Sequence, residues 1–372
     1  MKTKFHCTGA TLQFKYSAVQ IRFLTSTPLD IRRGSGTYVG IHVLARALES
    51  LGHRVAYETP RVLLPVFTAQ RLIFNRQLRA DPAYDLTVGF DMDGYRIAAG
   101  VDTHVASLKG VIADEALHER GFTRATMSLQ ARCERMHVQR AARVVCTSRY
   151  SAGCAREFYG LRELPAVVPE LIDLGEWRRL LGASPAESTD FTLLFVGRFY
   201  RRKRVDVLLR AAAILRERIP GVALRIVGNG PCGDSLRTLC RELKLDGTVS
   251  WLGDVSRAQL IEEYKRASVF CLPSVQEGFG IVLLEAMAAG KPIVAAGAAA
   301  IPEVAPHAAL FEPDRPEALA AAVEELHRSE DARARQSLAG ARQVEQFDVG
   351  RVAARFLEAA AGVRAVSASA LS

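Results

Sequence analysis

Pro273-Ser274-Val275-Gln276-Glu277-Gly278-Phe279-Gly280-Ile281-Val282-Leu283-Leu284-Glu285-Ala286-Met287 joins an apolar strand to an apolar helix through a turn that carries glycines. Val269 to Leu272, just before it, has the length and composition of a buried strand, and a helical period begins near Ile281. Strand, glycine turn and helix in that order make half of a βαβ unit, which implies a parallel sheet. A helix start offers unpaired amides and the positive end of the helix dipole, and open parallel sheets bind ligands at the carboxyl ends of their strands. Phosphate would fit there. Glu277 in the turn and Glu285 in the helix can approach a ligand's hydroxyls from different sides; the same residues also describe a plain glycine turn with solvated glutamates.

Working outward, the same pattern surrounds this segment. Thr192 to Val196 is a strand, followed by Gly197-Arg198-Phe199-Tyr200-Arg201-Arg202-Lys203-Arg204, a helix from about Val205 to Arg218 and a strand from Ala223 to Val227. The cations of that run cluster at one strand end, where the planar fork of arginine and the compact charge of lysine both suit phosphate; elsewhere such a run would be only a solvated loop. Strands at Val249–Leu252 and Pro292–Ala295 and helices near Asp234–Leu243, Arg257–Arg266 and Ile281–Ala289 complete a doubly wound domain. The alanine-rich stretch from Pro316 to Ala361 reads as helices.

An earlier alternation occupies the amino-terminal half. A strand over Val19–Leu24, a Gly34-Ser35-Gly36 loop, a helix through Leu44, Leu48 and Leu51 closed by Gly52, and a strand from His53 to Tyr57 form a βαβ unit. Further strands are expected at Leu86–Phe90, Val105–Ile112 and Arg143–Thr147, with a helix over about Ala125–Ala142 before the last. With 372 residues the chain has the length of two domains, hence a cleft between them. The expected division is an extension over 1–17, a first Rossmann-like domain over 18–172, a linker over 173–189 rich in Pro and Gly, a second Rossmann-like domain over 190–348, and a carboxyl-terminal helix and tail over 349–372. The Gly34 loop lacks the full dinucleotide fingerprint and no P-loop lysine follows it. Its interest is its place, opening onto the cleft from the first domain.

Composition narrows the partners. At 49% apolar and 24% charged residues, the chain is an ordinary folded protein, neither disordered nor fibrous. A net charge of +9 favours anionic partners. No zinc-finger spacing, RNP-like aromatic pattern or basic zipper supports nucleic acid, which is set aside, whereas peripheral contact with an anionic membrane stays open. Seven cysteines, an odd number with no Cys-x-x-Cys pair, argue against a zinc site and a disulfide framework and for a reduced, cytoplasmic setting. No apolar stretch has the length of a signal core or a membrane span, so a cytoplasmic location is expected. Asp91-Met92-Asp93 could ligate a divalent metal through hard oxygens, but it follows a strand of the first domain, where acceptor recognition or loop structure is favoured over metal. His104, His118 and His137 have no metal-ligand spacing.

Taken together, these segments resemble group 1 (family 4) of the nucleotide-sugar glycosyltransferases, whose Glu-x7-Glu motif is matched by Glu277 and Glu285. Gly197-Arg198 with Lys203, Val227-Gly228-Asn229-Gly230-Pro231, Trp251-Leu252-Gly253, Leu272-Pro273-Ser274, Glu285 to Pro292 and Ile301-Pro302-Glu303-Val304 fit that family in order and spacing. The resemblance is strong over about 190–315 and weaker over 18–175, where the glycine loop, Leu51-Gly52-His53 and Thr147-Ser148-Arg149-Tyr150-Ser151 carry it.

The resemblance implies an α/β fold of two Rossmann-like doubly wound domains facing a cleft (GT-B), with transfer that retains anomeric configuration. It implies a nucleotide-diphosphate sugar as donor in the second domain and a carbohydrate or lipid-linked acceptor in the first. Arg198 and Lys203 would hold the donor diphosphate beside Gly197, with Gly278 and the amides of Phe279, Gly280 and Ile281 assisting. Glu277 would contact the sugar, Glu285 the ribose, and Asn229 and Gly230 would lie near the nucleoside. Gly34, Ser35, Gly36, Asp91, Asp93 and Asp114 fall on the acceptor or phosphate-loop side. No metal and no cofactor are expected. Two departures stand out: Lys109-Gly110-Val111-Ile112-Ala113-Asp114-Glu115 ends its strand without the histidine many members carry, and Val168-Pro169-Glu170 replaces the usual Pro-Asn-Gly. A phosphorylase or sugar-nucleotide epimerase on the same fold, or a silent polyanion-binding protein, are the alternatives.

Overall fold

The computed structural model describes residues 18–28, 36–61, 64–182 and 190–361. The first lobe has strands β1 (Gln20–Leu24), β2 (Arg54–Glu58), β3 (Leu86–Phe90), β4 (His104–Leu108), β5 (Arg143–Cys146) and β6 (Ala166–Val167), and the second has β7 (Thr192–Val196), β8 (Ala223–Val227), β9 (Val249–Gly253), β10 (Val269–Leu272), β11 (Ile293–Ala296) and β12 (Ala309–Phe311). Each lobe is one six-stranded sheet, in the orders β2-β1-β3-β4-β5-β6 and β12-β11-β10-β7-β8-β9, and the paired strands run parallel. Strands buried on both faces, such as LTVGF in β3 and VFCL in β10, explain the unbroken apolar runs. The expected two doubly wound α/β domains are therefore present.

The strand order has a functional consequence. In the second sheet β7 lies beside β10, with Leu194 opposite Phe270, while the connections after these two strands wind in opposite directions. Their carboxyl ends thus flank a topological switch point, the crevice where such sheets take ligands. The basic run follows β7 and the Glu277 turn follows β10, so both loops meet there.

Three details differ from the sequence expectation. The strand expected over Val105–Ile112 ends at Leu108, and Ile112–Leu117 is helical, because Lys109-Gly110 interrupts an apolar run that periodicity alone cannot divide. The stretch read as linker contains a helix, Leu174–Leu181, capped by Asp173 accepting from the Glu176 amide at 2.8 Å and anchored by Trp177 in the core of the second lobe. Val349–Ala361 is a helix that returns to the first lobe, where Val352, Ala353 and Phe356 complete that core with Ile41, Leu44 and Leu48. The two crossings are joined: Ile172 bridges Asp348 in parallel, with Ile172 N donating to Phe347 O at 3.0 Å and Val349 N to Ile172 O at 3.1 Å. Cys133, Cys146, Cys154, Cys232, Cys240 and Cys271 are free thiols, and among the described residues no helix is long and apolar enough to cross a membrane.

Candidate functional site

At the switch point the loops after β7 and β10 are tied directly. Val275 N donates to Arg202 O at 2.9 Å, and Lys203 Nζ contacts Glu277 Oε1 at 2.6 Å, with both side chains largely buried. The basic run divides its labour. Arg202 reaches across the cleft to Glu115 at 3.1 Å and Glu119 at 3.4 Å of the first lobe. Arg204 pairs with Asp206 and Asp314. Among the described residues, Arg198 makes no ion pair and no side-chain hydrogen bond, and it is half-buried beside Gly197, whose amide donates to Val227 O. A half-buried arginine without a carboxylate, next to a lysine that has one, leaves net positive charge for a ligand.

The β10 loop is clamped from the first lobe. The Gly278 carbonyl accepts from Ser148 Oγ at 2.7 Å, Ser151 Oγ at 2.9 Å and Thr147 Oγ1 at 3.2 Å. A Cβ at Gly278 would lie 2.8 Å from the Lys109 carbonyl, so only glycine allows this approach. Gln276 Nε2 donates to Asp114 Oδ2 at 3.0 Å, and Tyr150 donates its hydroxyl to the same oxygen at 3.0 Å. Glu303 accepts the amides of Arg149 and Tyr150. Gly280 then takes φ 89°, a left-handed turn that starts the helix Ile281–Ala288. The amides of Phe279, Gly280 and Ile281 make no hydrogen bond to another described residue, while the Phe279 ring is buried against Phe347. Free helix-start amides following Glu277, which holds Lys203, form an anion-binding constellation, and Arg198 lies in the loop after the neighbouring strand β7.

At the start of that helix Ile281, and one turn later Glu285, face a cavity of about 570 Å³. Tyr38, His42 and Arg46 of the helix Gly36–Ser50 line its other wall, and Trp177 and Arg257 lie alongside. That volume suits a small organic ligand. Glu285 is buried, accepts from Tyr264 Oη at 2.9 Å, and has its pKa pushed up to about 7 by burial, against the smaller opposing pull of Tyr264 and Arg257. Arg257 is held by Glu176 at 3.2 Å and lies over the Trp177 ring.

The remaining residues singled out from the sequence fall elsewhere. Asn229 is exposed and spends its Oδ1 on the Gly230 amide, within the loop that lies against Phe199. Gly34 and Ser35 lie outside the described residues, and Gly36 opens the helix that faces the cavity. Asp114 is buried and holds the β10 loop through Gln276. Asp93 is fully buried and accepts from Ser26 N and Oγ at 2.7 Å and Asn75 Nδ2 at 2.9 Å, so it is a structural residue closed to ligands. Asp91 accepts from Lys109 N at 2.9 Å, shares Arg71 with Asp93, and is raised to about 6 by burial. Behind this loop, His137 Nδ1 donates to the Asp91 carbonyl, leaving its Nε2 to accept from His104 Nε2 at 2.7 Å. Both imidazoles are lowered by burial, which keeps them neutral. Among the described residues, no three His, Cys, Asp or Glu side chains gather as a metal site. The hydroxyls of Thr147, Ser148 and Ser151 and the cavity wall of His42, Arg46 and Arg257 were not singled out from sequence as contacts. Only the Thr147 to Ser151 segment carried a signal, through the family resemblance.

Residues 179–343 match the family model described as glycosyl transferases group 1. A D-inositol 3-phosphate glycosyltransferase of Actinosynnema mirum is 39% identical over 153 residues, 37% of this chain and 36% of that protein. The chain thus spans little more than a third of that relative's length. Among solved structures, sucrose-phosphate synthase from Thermosynechococcus elongatus superposes with a TM-score of 0.76 at 19% identity, covering 91% of this chain and 98% of that one. Anabaena HepE in complex with UDP-glucose does so with a TM-score of 0.70 at 20% identity, covering 91% and 98%. These two likenesses establish the shared two-lobed fold.

Proposed function

We propose that this chain, which belongs to the group 1 glycosyl transferases through residues 179–343, transfers a sugar from a nucleoside-diphosphate sugar to a carbohydrate or lipid-linked acceptor with retention of configuration. What carries the proposal is the meeting of Lys203 and Glu277 at 2.6 Å next to the unpaired amides of Phe279 to Ile281, with the free Arg198 in the same loop as Lys203. Cations and amides aimed at one point stabilise a departing diphosphate, on which negative charge accumulates as the bond to the sugar breaks. In the donor complex Lys203 would exchange Glu277 for a phosphate oxygen, freeing that carboxylate for the sugar hydroxyls. Glu285 would accept from the ribose at the wall of the cavity, whose volume of about 570 Å³ supports a nucleoside there.

The step balances without a protein nucleophile. The bond from the anomeric carbon to the phosphate oxygen breaks, the acceptor oxygen bonds to the same face of that carbon, and the acceptor's proton passes to the leaving phosphate. Arg198 and Lys203 supply the neutralisation a divalent metal would otherwise provide, so transfer needs none.

The test is a thermal-shift panel of nucleoside-diphosphate sugars, followed by turnover of those that raise the melting temperature. Stabilisation by a nucleotide sugar with release of nucleoside diphosphate only when an acceptor is supplied is expected. Isomerisation of the sugar without acceptor would identify an epimerase, formation of sugar 1-phosphate from a glycan and inorganic phosphate would identify a phosphorylase, and binding without turnover would leave a silent module.

A further inference from the structure

We infer that the first lobe docks on an anionic lipid surface through the helix Gly121–Arg140 and the neighbouring helix Phe67–Gln77. Phe122 is 76% exposed, Leu117 54% and Leu129 42%, an unusual concentration of large apolar side chains in water. Phe122, Leu129 and Arg132 share one face of their helix by its three- and four-residue steps. Arg120, Arg124 and Arg132 are exposed, and none has an ion-pair partner among the described residues. The helix contains one carboxylate, Glu134, which is fully buried and accepts from Ile112 N and Tyr159 Oη. Phe67–Gln77 contains none. Gln130 Nε2 donates to Thr68 Oγ1 at 2.6 Å and Arg71 Nη1 to Gln130 Oε1 at 3.0 Å, so the helices are fixed side by side and Phe67, 43% exposed, continues the patch.

A solvated helix ordinarily pairs its cations with carboxylates three or four residues away. This face pairs none. Apolar side chains among unpaired arginines are the composition of an interfacial helix, in which rings enter the headgroup boundary and guanidinium forks meet lipid phosphates. The same charge would suit an acidic protein, but large apolar side chains spread over two helices among unpaired arginines suit a surface that yields. The patch begins where Glu115 and Glu119 hold Arg202 across the cleft, so docking would turn the cleft mouth to the bilayer. That the acceptor is then lipid-borne rests on the transferase proposal; the docking itself does not.

Flotation of the full chain is measured with phosphatidylcholine vesicles and with vesicles of equal parts phosphatidylcholine and phosphatidylglycerol, at low and high salt and without donor. Binding to the anionic vesicles alone, released by salt, is expected. Arg120→Glu with Arg124→Glu should lower partitioning by about tenfold or more, and Phe122→Ser with Leu129→Ser should lower it without a change in melting temperature. Leu338→Ser, at a side chain 55% exposed on the second lobe, should leave it unchanged. Absence of wild-type binding, equal binding to phosphatidylcholine, or undiminished binding by folded Arg120→Glu/Arg124→Glu would overturn the inference. A dimer in light scattering that Phe122→Ser dissolves, with no vesicle binding, would assign the face to a second copy of the chain.

Discussion

Lys203 Nζ and Glu277 Oε1 stand 2.6 Å apart at the crossover of the second sheet, one from the loop after β7 and the other from the loop after β10. A largely buried pair of this kind offsets part of what each charge loses on leaving water. An incoming diphosphate has to outcompete a single carboxylate for that lysine. The pair therefore holds the cation in readiness and fixes where the anion must arrive.

Replacing Lys203 or Arg198 by Ala should lower kcat/KM for the donor by about tenfold or more, the loss of a charge-assisted contact of roughly 1.5–3 kcal/mol. The two variants should differ in stability. Lys203→Ala strands Glu277 and should melt earlier, whereas Arg198→Ala breaks no described side-chain contact and should not. Steady-state kinetics with calorimetric melting check both, and unchanged kinetics in both would remove these residues from the diphosphate site. Arg198→Lys should also be impaired if the planar fork matters.

Glu285 makes a pH prediction whose sign follows from its raised pKa. A carboxyl that holds its proton more tightly folded than unfolded contributes stability fully below its ordinary value near 4.5 and loses it as pH rises through about 7. The melting temperature of the protein relative to Glu285→Gln should fall between about pH 5 and about pH 8. Donor affinity should move the opposite way, rising as Glu285 ionises and can accept from two hydroxyls. Titration calorimetry at several pH values tests this, and a flat profile identical in Glu285→Gln would refute it.

Gly278 tests the clamp between the lobes. Gly278→Ala brings a methyl group to 2.8 Å from the Lys109 carbonyl and should force the lobes apart. The expected result is a larger radius of gyration in small-angle scattering and a lower donor affinity. Ser148→Ala alone should cost about 1–2 kcal/mol and mainly through the lost cap on the Ser151 amide, because Thr147 and Ser151 still donate to the same carbonyl.

Transfer should persist after excess EDTA, with metal removal confirmed by elemental analysis. Asp93→Ala should destabilise by about 3–5 kcal/mol, as expected when one member of a buried charged pair is removed, with no activity regained on adding magnesium or manganese. Activity abolished by EDTA and restored by either ion would show that the cations do not suffice.

Much of this molecule was legible in the sequence, and the exceptions share a cause. Thr192–Val196 and Val269–Leu272 are strands to the residue because a strand buried on both faces is a short apolar run between breakers. The meeting of the Arg198–Lys203 and Glu277 segments could be anticipated because each follows such a strand, and in open parallel sheets the strand ends share one edge. Asp93 resisted. Its partners, Ser26 and Asn75, are distant in sequence, so nothing nearby distinguishes a buried loop anchor from a ligand-facing acid. The contact of Asp114 with Gln276 was hidden for the same reason, its partner lying in the other lobe. An amphipathic helix at Val349–Ala361 announces that it needs a core without saying which.

That helix constrains how the protein can be made. A ribosome releases the first lobe before the second, and domains ordinarily fold as they emerge. Here Val352, Ala353 and Phe356 arrive only after the whole second lobe has been synthesised, so Ile41, Leu44 and Leu48 wait with one side of their core uncovered. The core of the first lobe can therefore close only once the last helix has left the ribosome.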